Sequence, residues 1–205
     1  MHNINRSGFP IILSAPSGAG KTSLCRKVME KRPEIIYSIS ITSRPPRSNE
    51  KDGQDYRFVS VTEFERMLHN NELAEWAMVH DNYYGTPHNE LTGNLAKGRD
   101  VIMDIDTVGA RSVKKLYPQA VSIFVIPPSI EVLKQRLKSR ATDSEEVINK
   151  RLNKARLEME QISDFDYWLV NDDFERAVDT VVSIINAERC RLSRYNPEEI
   201  DKIIQ

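Results

Sequence analysis

The sequence predicts an α/β protein, a parallel core sheet wrapped by helices in three layers, and three observations predict it. Four short apolar, β-branched runs, Phe9 to Leu13, Val101 to Ile105, Val121 to Ile126 and Trp168 to Val170, read as strands buried on both faces. Each leads through a polar turn into a helix-like segment, the alternation of a parallel sheet with helical crossovers. The 205 residues suffice for one substantial core, so a single domain over 1–205 carrying inserted lobes is expected.

Directly after the first run stands "APSGAGKT", residues 15–22. It fits G-x-x-x-x-G-K-S/T except at its first position, where Ala15 replaces glycine. A loop that wraps a phosphate turns its backbone N–H groups inward, which requires positive φ or the absence of a side chain, and Gly18 and Gly20 meet that need. Lys21 supplies a mobile charge for β- and γ-phosphates, Thr22 offers a hydroxyl to Mg²⁺, and the helix that begins there points its positive end at the anion. Ala15 needs only a conformation open to L-residues. The pattern predicts a nucleoside triphosphate site without specifying a reaction.

The helix Lys21 to Arg32 stops before Pro33, and Ser129 to Arg140 starts after the Pro127–Pro128 pair. Thr142 with Glu145 reads as a capping box ahead of Glu146 to Ile162, and a last helix spans Asp173 to Ser193. Between the first two core strands, Ile35 to Leu95 is too irregular for one crossover helix. Its "IYSISIT" and "YRFVSV" alternate like strands and precede a short helix capped by Thr62 and Glu65, which together read as an inserted lobe.

The lobe carries the second constellation. "SRPPR" places Arg44 and Arg47 three residues apart on a stretch stiffened by two prolines, a fork for a phosphate. Tyr56, Tyr83 and Tyr84 offer hydroxyls, and a carboxylate such as Glu75 accepts the two donors that guanine presents at N1 and N2 and adenine lacks. Taken singly, the arginines also fit a solvated loop, the tyrosines packing, and Glu75 a surface charge. Asp104 and Asp106 in "DID" end a core strand and resemble a Walker B position, in which Asp104 would be the better candidate to reach Mg²⁺ through water. A structural carboxylate pair is the other reading of that stretch. Arg136 and Arg140 fall four apart on one helical face, with Arg151 following.

Net charge is -1, from 29 basic and 30 acidic residues, so no global field holds a long polyanion and nucleic acid is not the expected partner. Cys25 and Cys190 belong to no ligand pattern and read as buried thiols. Nothing near the N-terminus resembles an export signal, and no apolar run approaches the ~20 residues of a bilayer span, so a cytoplasmic, reduced setting without membrane partners is expected.

In order along the chain, "SAPSGAGKTSL", "SITSRPPR", "DYRFVSVTEF", "EWAMVHDNYYGT", "VIMDIDTVGA", "IFVIPPS", "LKQRLKSR", "SEEVINKRL", "VNDD" and "AERCRLSR" closely resemble guanylate kinase of the bacterial type. The resemblance covers nearly the whole chain and implies a P-loop fold with a core (about 8–34, 96–128 and 166–205), a GMP-binding lobe (about 35–95) and a helical lid (about 136–165). It implies reversible, Mg²⁺-dependent phosphoryl transfer from ATP to GMP or dGMP, and a homo-oligomer is compatible with it. ATP would lie on Ala15, Pro16, Ser17, Gly18, Ala19, Gly20, Lys21, Thr22 and Ser23, with Arg140 and Asn171 near the adenine. The guanine would meet Ser40, Glu75, Thr86 and Asp106. Its 5′-phosphate would meet Arg44, Arg47, Tyr56 and Tyr84. Lys21, Arg44, Arg136 and Arg151 would carry catalysis, and Thr22 and Asp104 the metal. Asn49 and Ala141 replace glycines common in the family. Two rivals remain: a phosphopeptide-binding module of the same fold, disfavoured by the intact phosphate loop, and a kinase for another phosphorylated acceptor, disfavoured by Glu75 and Ser40. A regulatory GTPase lacks its N-K-x-D element here.

Overall fold

The computed structural model describes residues 6–48, 50–79, 81–139, 144–198 and 201. In chain order the elements are β1 (Pro10–Ser14), α1 (Lys21–Lys31), β2 (Ile36–Tyr37), β3 (Ile41–Thr42), β4 (Arg57–Phe58), α2 (Val61–His69), β5 (Leu73–Val79), β6 (Asn82–Pro87) and α3 (His88–Leu95). They continue with β7 (Val101–Asp104), α4 (Thr107–Leu116), β8 (Val121–Ile126), α5 (Ile130–Lys138), α6 (Glu145–Met159), β9 (Tyr167–Val170) and α7 (Phe174–Arg189).

The core sheet has the order β2-β7-β1-β8-β9, and every pairing in it is parallel. Successive side chains of a strand leave on opposite faces, which is how β1 feeds two cores at once. Ile11 and Leu13 pack with Leu24, Val28, Val178 and Val181 of α1 and α7 on one side. Ile12 packs with Leu91, Ala110 and Val113 of α3 and α4 on the other. Both faces are covered, so the strands are apolar throughout, as their sequences predict.

The lobe is a second sheet, β4-β3-β6-β5, closed on one side by α2, whose Phe64 stacks on Tyr83 at 4.9 Å. The "IYSISIT" run does not form one lobe strand. Ile36 and Tyr37 pair with Val101 and Ile102 in the core sheet, and only Ile41–Thr42 belongs to the lobe. The run therefore crosses from core to lobe within four residues. α5 and α6 form a separate helical pair around Leu133, Leu137, Ile148, Leu152 and Ala155.

Several boundaries and caps differ from those expected. Ser60, not Thr62, caps α2, its Oγ accepting from the Glu63 N–H at 3.1 Å. Ser144 caps α6 through the Val147 N–H at 3.4 Å, and Thr142 lies outside the described residues. In both cases the serine two residues before or after the chosen threonine has the extended backbone that a cap requires. α6 stops at Met159, with Ile162–Asp164 a separate 3₁₀ turn, and α7 stops at Arg189. Cys190, just past that end, is exposed rather than buried, whereas Cys25 is buried. No helix among the described residues is long and apolar enough to cross a membrane.

Candidate active site

The carboxyl ends of β1, β7 and β9 converge where open parallel sheets bind ligands. After β1 the chain turns through Gly18 and Gly20, both at positive φ (+97° and +96°), before α1 begins. Ala15 is buried and has no positive φ, so the substitution at the first loop position leaves the cradle intact. A side chain at Gly18 would strike Leu137 of α5 at 2.8 Å, which shows how closely the helical pair covers the loop. Arg136 and Arg151 fasten that cover, and Asn171 ties the loop to the end of β9. Arg136 donates to the Ala19 and Asn171 carbonyls at 3.5 and 3.0 Å, the buried Asn171 donates from Nδ2 to the Ala19 carbonyl at 2.8 Å, and Arg151 donates to Ser17 Oγ at 2.6 Å.

Below the loop, Lys21 Nζ donates to the Ile105 carbonyl at 3.1 Å. Asp104 at the end of β7 receives Thr22 Oγ1 on one oxygen and the Tyr37 hydroxyl on the other, each at 2.5 Å. A hydroxyl beside a carboxylate is a sparse set of hard oxygen donors, suited to Mg²⁺, which keeps several waters and takes its remaining ligands from phosphates. No group of three or more acidic, His or Cys side chains able to cage a metal occurs among the described residues.

A cavity of about 330 Å³ joins this loop to the lobe and is lined from both sides, by Gly18, Gly20, Lys21, Thr22 and Asp104 on one wall and Ser40, Tyr56, Glu75, Ala77 and Tyr84 on the other. At its floor Glu75 is 7% exposed, with Oε1 accepting from Thr86 Oγ1 at 2.6 Å. Burial is the main reason its carboxyl is pushed up to about 7; the Thr86 hydrogen bond and Lys21 oppose this, and Asp106 adds to it. Asp106 caps α4, accepting the Gly109 N–H at 2.8 Å. At the rim, Arg44 is held in one orientation. Its Nη1 and Nη2 fork onto Glu50 at 2.9 Å each, Nε donates to the Tyr84 hydroxyl at 3.1 Å, and the guanidinium lies over the Tyr56 ring at 5.5 Å. Because Tyr84 accepts from Arg44, its own proton stays available for an anion. The Arg44 hydrogen bonds hold Glu50 below the usual carboxylate range, and burial raises the Tyr56 phenol to about 12, so it remains a donor.

The guanylate kinase family profile matches residues 7–188. The chain belongs to the guanylate kinase family. It is 45% identical to a guanylate kinase of Caldanaerobacter subterraneus over 94% of this chain and 93% of that one, and 49% identical to one of Geobacter sulfurreducens over 93% and 94%. Among solved structures, guanylate kinase from Anaplasma phagocytophilum superposes with a TM-score of 0.81 at 33% identity, covering 97% of this chain and 96% of that one.

With the guanylate kinase positions in view, the structure gathers most of the residues singled out from sequence. Ser40, Tyr56, Glu75, Tyr84 and Asp106 share one cavity with Lys21, Thr22 and Asp104, and Thr86 and Arg44 attach to it through Glu75 and Tyr84. Arg47 stands apart, its side chain 72% exposed and 3.9 Å from Glu50. Asn171 places one amide N–H on the phosphate loop. Arg140, Ala141 and Asn49 lie outside the described residues. Sequence reasoning missed Glu50, Tyr37 and the α6 pair Lys154 and Glu158, which also line the cavity. An acid three residues beyond Arg47 was a readable signal for Glu50. Nothing in "IIYSIS" marks Tyr37, whose role depends on β2 joining β7.

Proposed function

We propose that this chain transfers the γ-phosphoryl group of ATP to GMP, giving ADP and GDP, in a single direct step. The observation that carries the reading is one cavity with a phosphate-loop lysine at one wall and a buried carboxylate at the other. The Gly18–Gly20 loop and Lys21 cradle the ATP phosphates. Glu75, kept in place by Thr86, accepts the N1 and N2 donors of guanine, and Ser40 and Asp106 complete the base contacts. Arg44, Tyr56 and Tyr84, with Arg47 swinging in from the rim, grip the 5′-phosphate.

Two highly charged phosphates have to be brought together, and the loose transition state spreads charge over the migrating group, so positioning and positive charge supply most of the rate. Arg136 and Arg151 already lie against the loop and deliver that charge from the lid side, joined by Lys21 and Arg44. Thr22 and Asp104 would hold Mg²⁺, which when bound neutralises charge on the phosphates. The GMP phosphate oxygen is an adequate nucleophile, so no side chain need act as a strong base or form a covalent intermediate. The α5–α6 pair, with its own small core, closes over the loop and keeps water from the γ-phosphate. The same pocket accepts dGMP, and we place the chain with its nucleotides in the cytoplasm. A coupled assay of ADP formation with GMP, dGMP, AMP, UMP and ribose phosphates as acceptors tests the assignment. Turnover with GMP and dGMP alone is the expected result, and equal turnover with AMP would refute the role given to Glu75.

A further inference from the structure

Glu75, which lines the cavity, rests its carboxylate against the first turn of α4. It stands on β5 at a shift of register against β6, and its side chain crosses to the first turn of α4, where residue 109 is glycine. A Cβ placed on Gly109 would lie 2.7 Å from Glu75 Oε2 and 3.2 Å from its Cδ, whereas the next neighbour, Ile105 Cβ, is at an ordinary 3.4 Å. The backbone there is helical, with no positive φ to call for glycine. Glycine weakens a helix relative to alanine, so its presence wants another reason, and the carboxylate is the atom group that a side chain would displace.

Resting on the guanine reading above, we propose that Gly109 is a specificity-determining position: its missing side chain gives the Glu75 carboxylate the depth at which both oxygens face guanine. It is a positioning residue that never touches the nucleotide. Thr86 pins Oε1, so a methyl group at 109 cannot be evaded by sliding the whole acid and instead tips Oε2 by about 0.5 Å, out of line with one of the two base donors. The fold absorbs the change easily, because what must yield is the end of a side chain and the backbone stays in place. Gly93 in α3 is the matched control. It too is a helical glycine, but a Cβ there meets nothing within 4 Å.

The test compares G109A and G93A with the unaltered chain by titration calorimetry with GMP and with IMP, which keeps N1–H but lacks the 2-amino group, together with steady-state kinetics and thermal melts. G109A is expected to weaken GMP binding and raise KM for GMP about tenfold, to narrow the preference for GMP over IMP, to leave kcat at saturating GMP and KM for ATP essentially unchanged, and to leave the melting midpoint no lower than that of the unaltered chain. G93A should match the unaltered chain in every nucleotide measurement. Unchanged GMP affinity in G109A overturns the proposal, as does a lowered melting midpoint, which would assign the position to packing. Failure of the unaltered chain to make GDP would instead sink the guanylate kinase reading, and the calorimetric comparison keeps the two failures apart.

Discussion

Replacing Glu75 by glutamine should make the protein more stable and a worse enzyme, and both effects follow from the burial of one carboxylate. The acid is moved from an ordinary value of 4.5 to about 7, chiefly by desolvation, which corresponds to ~3 kcal/mol of disfavoured charge. Between those two pH values the unfolded chain releases the proton while the folded chain keeps it. Stability is therefore lost as pH rises through the window from 4.5 to 7 and stays lower above it. Glutamine keeps the acceptor for Thr86 and removes the charge, but leaves an amide N–H₂ short of partners, at a cost of ~1–2 kcal/mol. The net gain at pH 8 is ~1–2 kcal/mol, or a melting midpoint about 3–6 °C higher for a domain of this size, and it turns into a loss of up to ~1 kcal/mol at pH 5, where the amide cost remains and most of the charge penalty is gone. The same change opposes an amide donor to the guanine donors and deletes a charge-assisted contact worth ~1.5–3 kcal/mol, so KM for GMP should rise about 10²-fold. In the unaltered chain kcat/KM for GMP should climb as pH rises toward 7 and then level off, a dependence absent from E75Q. Melts at pH 5 and 8 with parallel kinetics decide it. A midpoint at pH 8 below that of the unaltered chain, or a GMP KM that hardly moves, would refute the reasoning.

Lys21→Ala and Arg44→Ala should each remain folded, as judged by unchanged far-ultraviolet dichroism, while losing on the order of 10³-fold in kcat. Tyr37→Phe frees one oxygen of Asp104, and the Mg²⁺ concentration for half-maximal rate should increase about tenfold, as expected when the partner of a metal-holding carboxylate is removed. Asp100 is fully buried between Arg6 and Arg189, with contacts of 2.6–2.7 Å. Asp100→Asn removes the carboxylate that Arg6 pairs with and one of the two that hold Arg189, which keeps Glu34 at 2.6 Å, and should cost ~3 kcal/mol, a melting midpoint lower by about 10 °C. Its kcat should stay within about twofold, because the residue precedes β7, at the sheet end away from the cavity.

What could be read from sequence was local or strongly patterned. The apolar runs around Ile11, Met103 and Ile123 needed burial on two faces to make sense, and the Gly18–Gly20 spacing demanded positive φ. The lobe was harder, because β3 and β4 are only two residues long and pair with distant residues. Ile41 lies against Gly85 and Arg57, and "IYSISIT" offered no mark where it leaves one sheet for another. Caps were misplaced by two residues because serine and threonine signal alike and only backbone geometry separates them. Asp106, which the family resemblance made a base contact, caps α4, a role that its spacing to Gly109 did not announce. Glu50 and Tyr37 act by orienting other side chains, and such roles leave little trace in residue spacing.

The central claim is that the phosphate loop and the guanine pocket share one cavity, so that the phosphoryl group passes between nucleotides without resting on the protein. Its most direct test is the configuration at phosphorus after transfer from ATP made chiral at the γ-position. Inversion in the GDP product is the predicted result. Retention, which requires a phosphoenzyme, or binding of GMP with no GDP formed, would contradict the account.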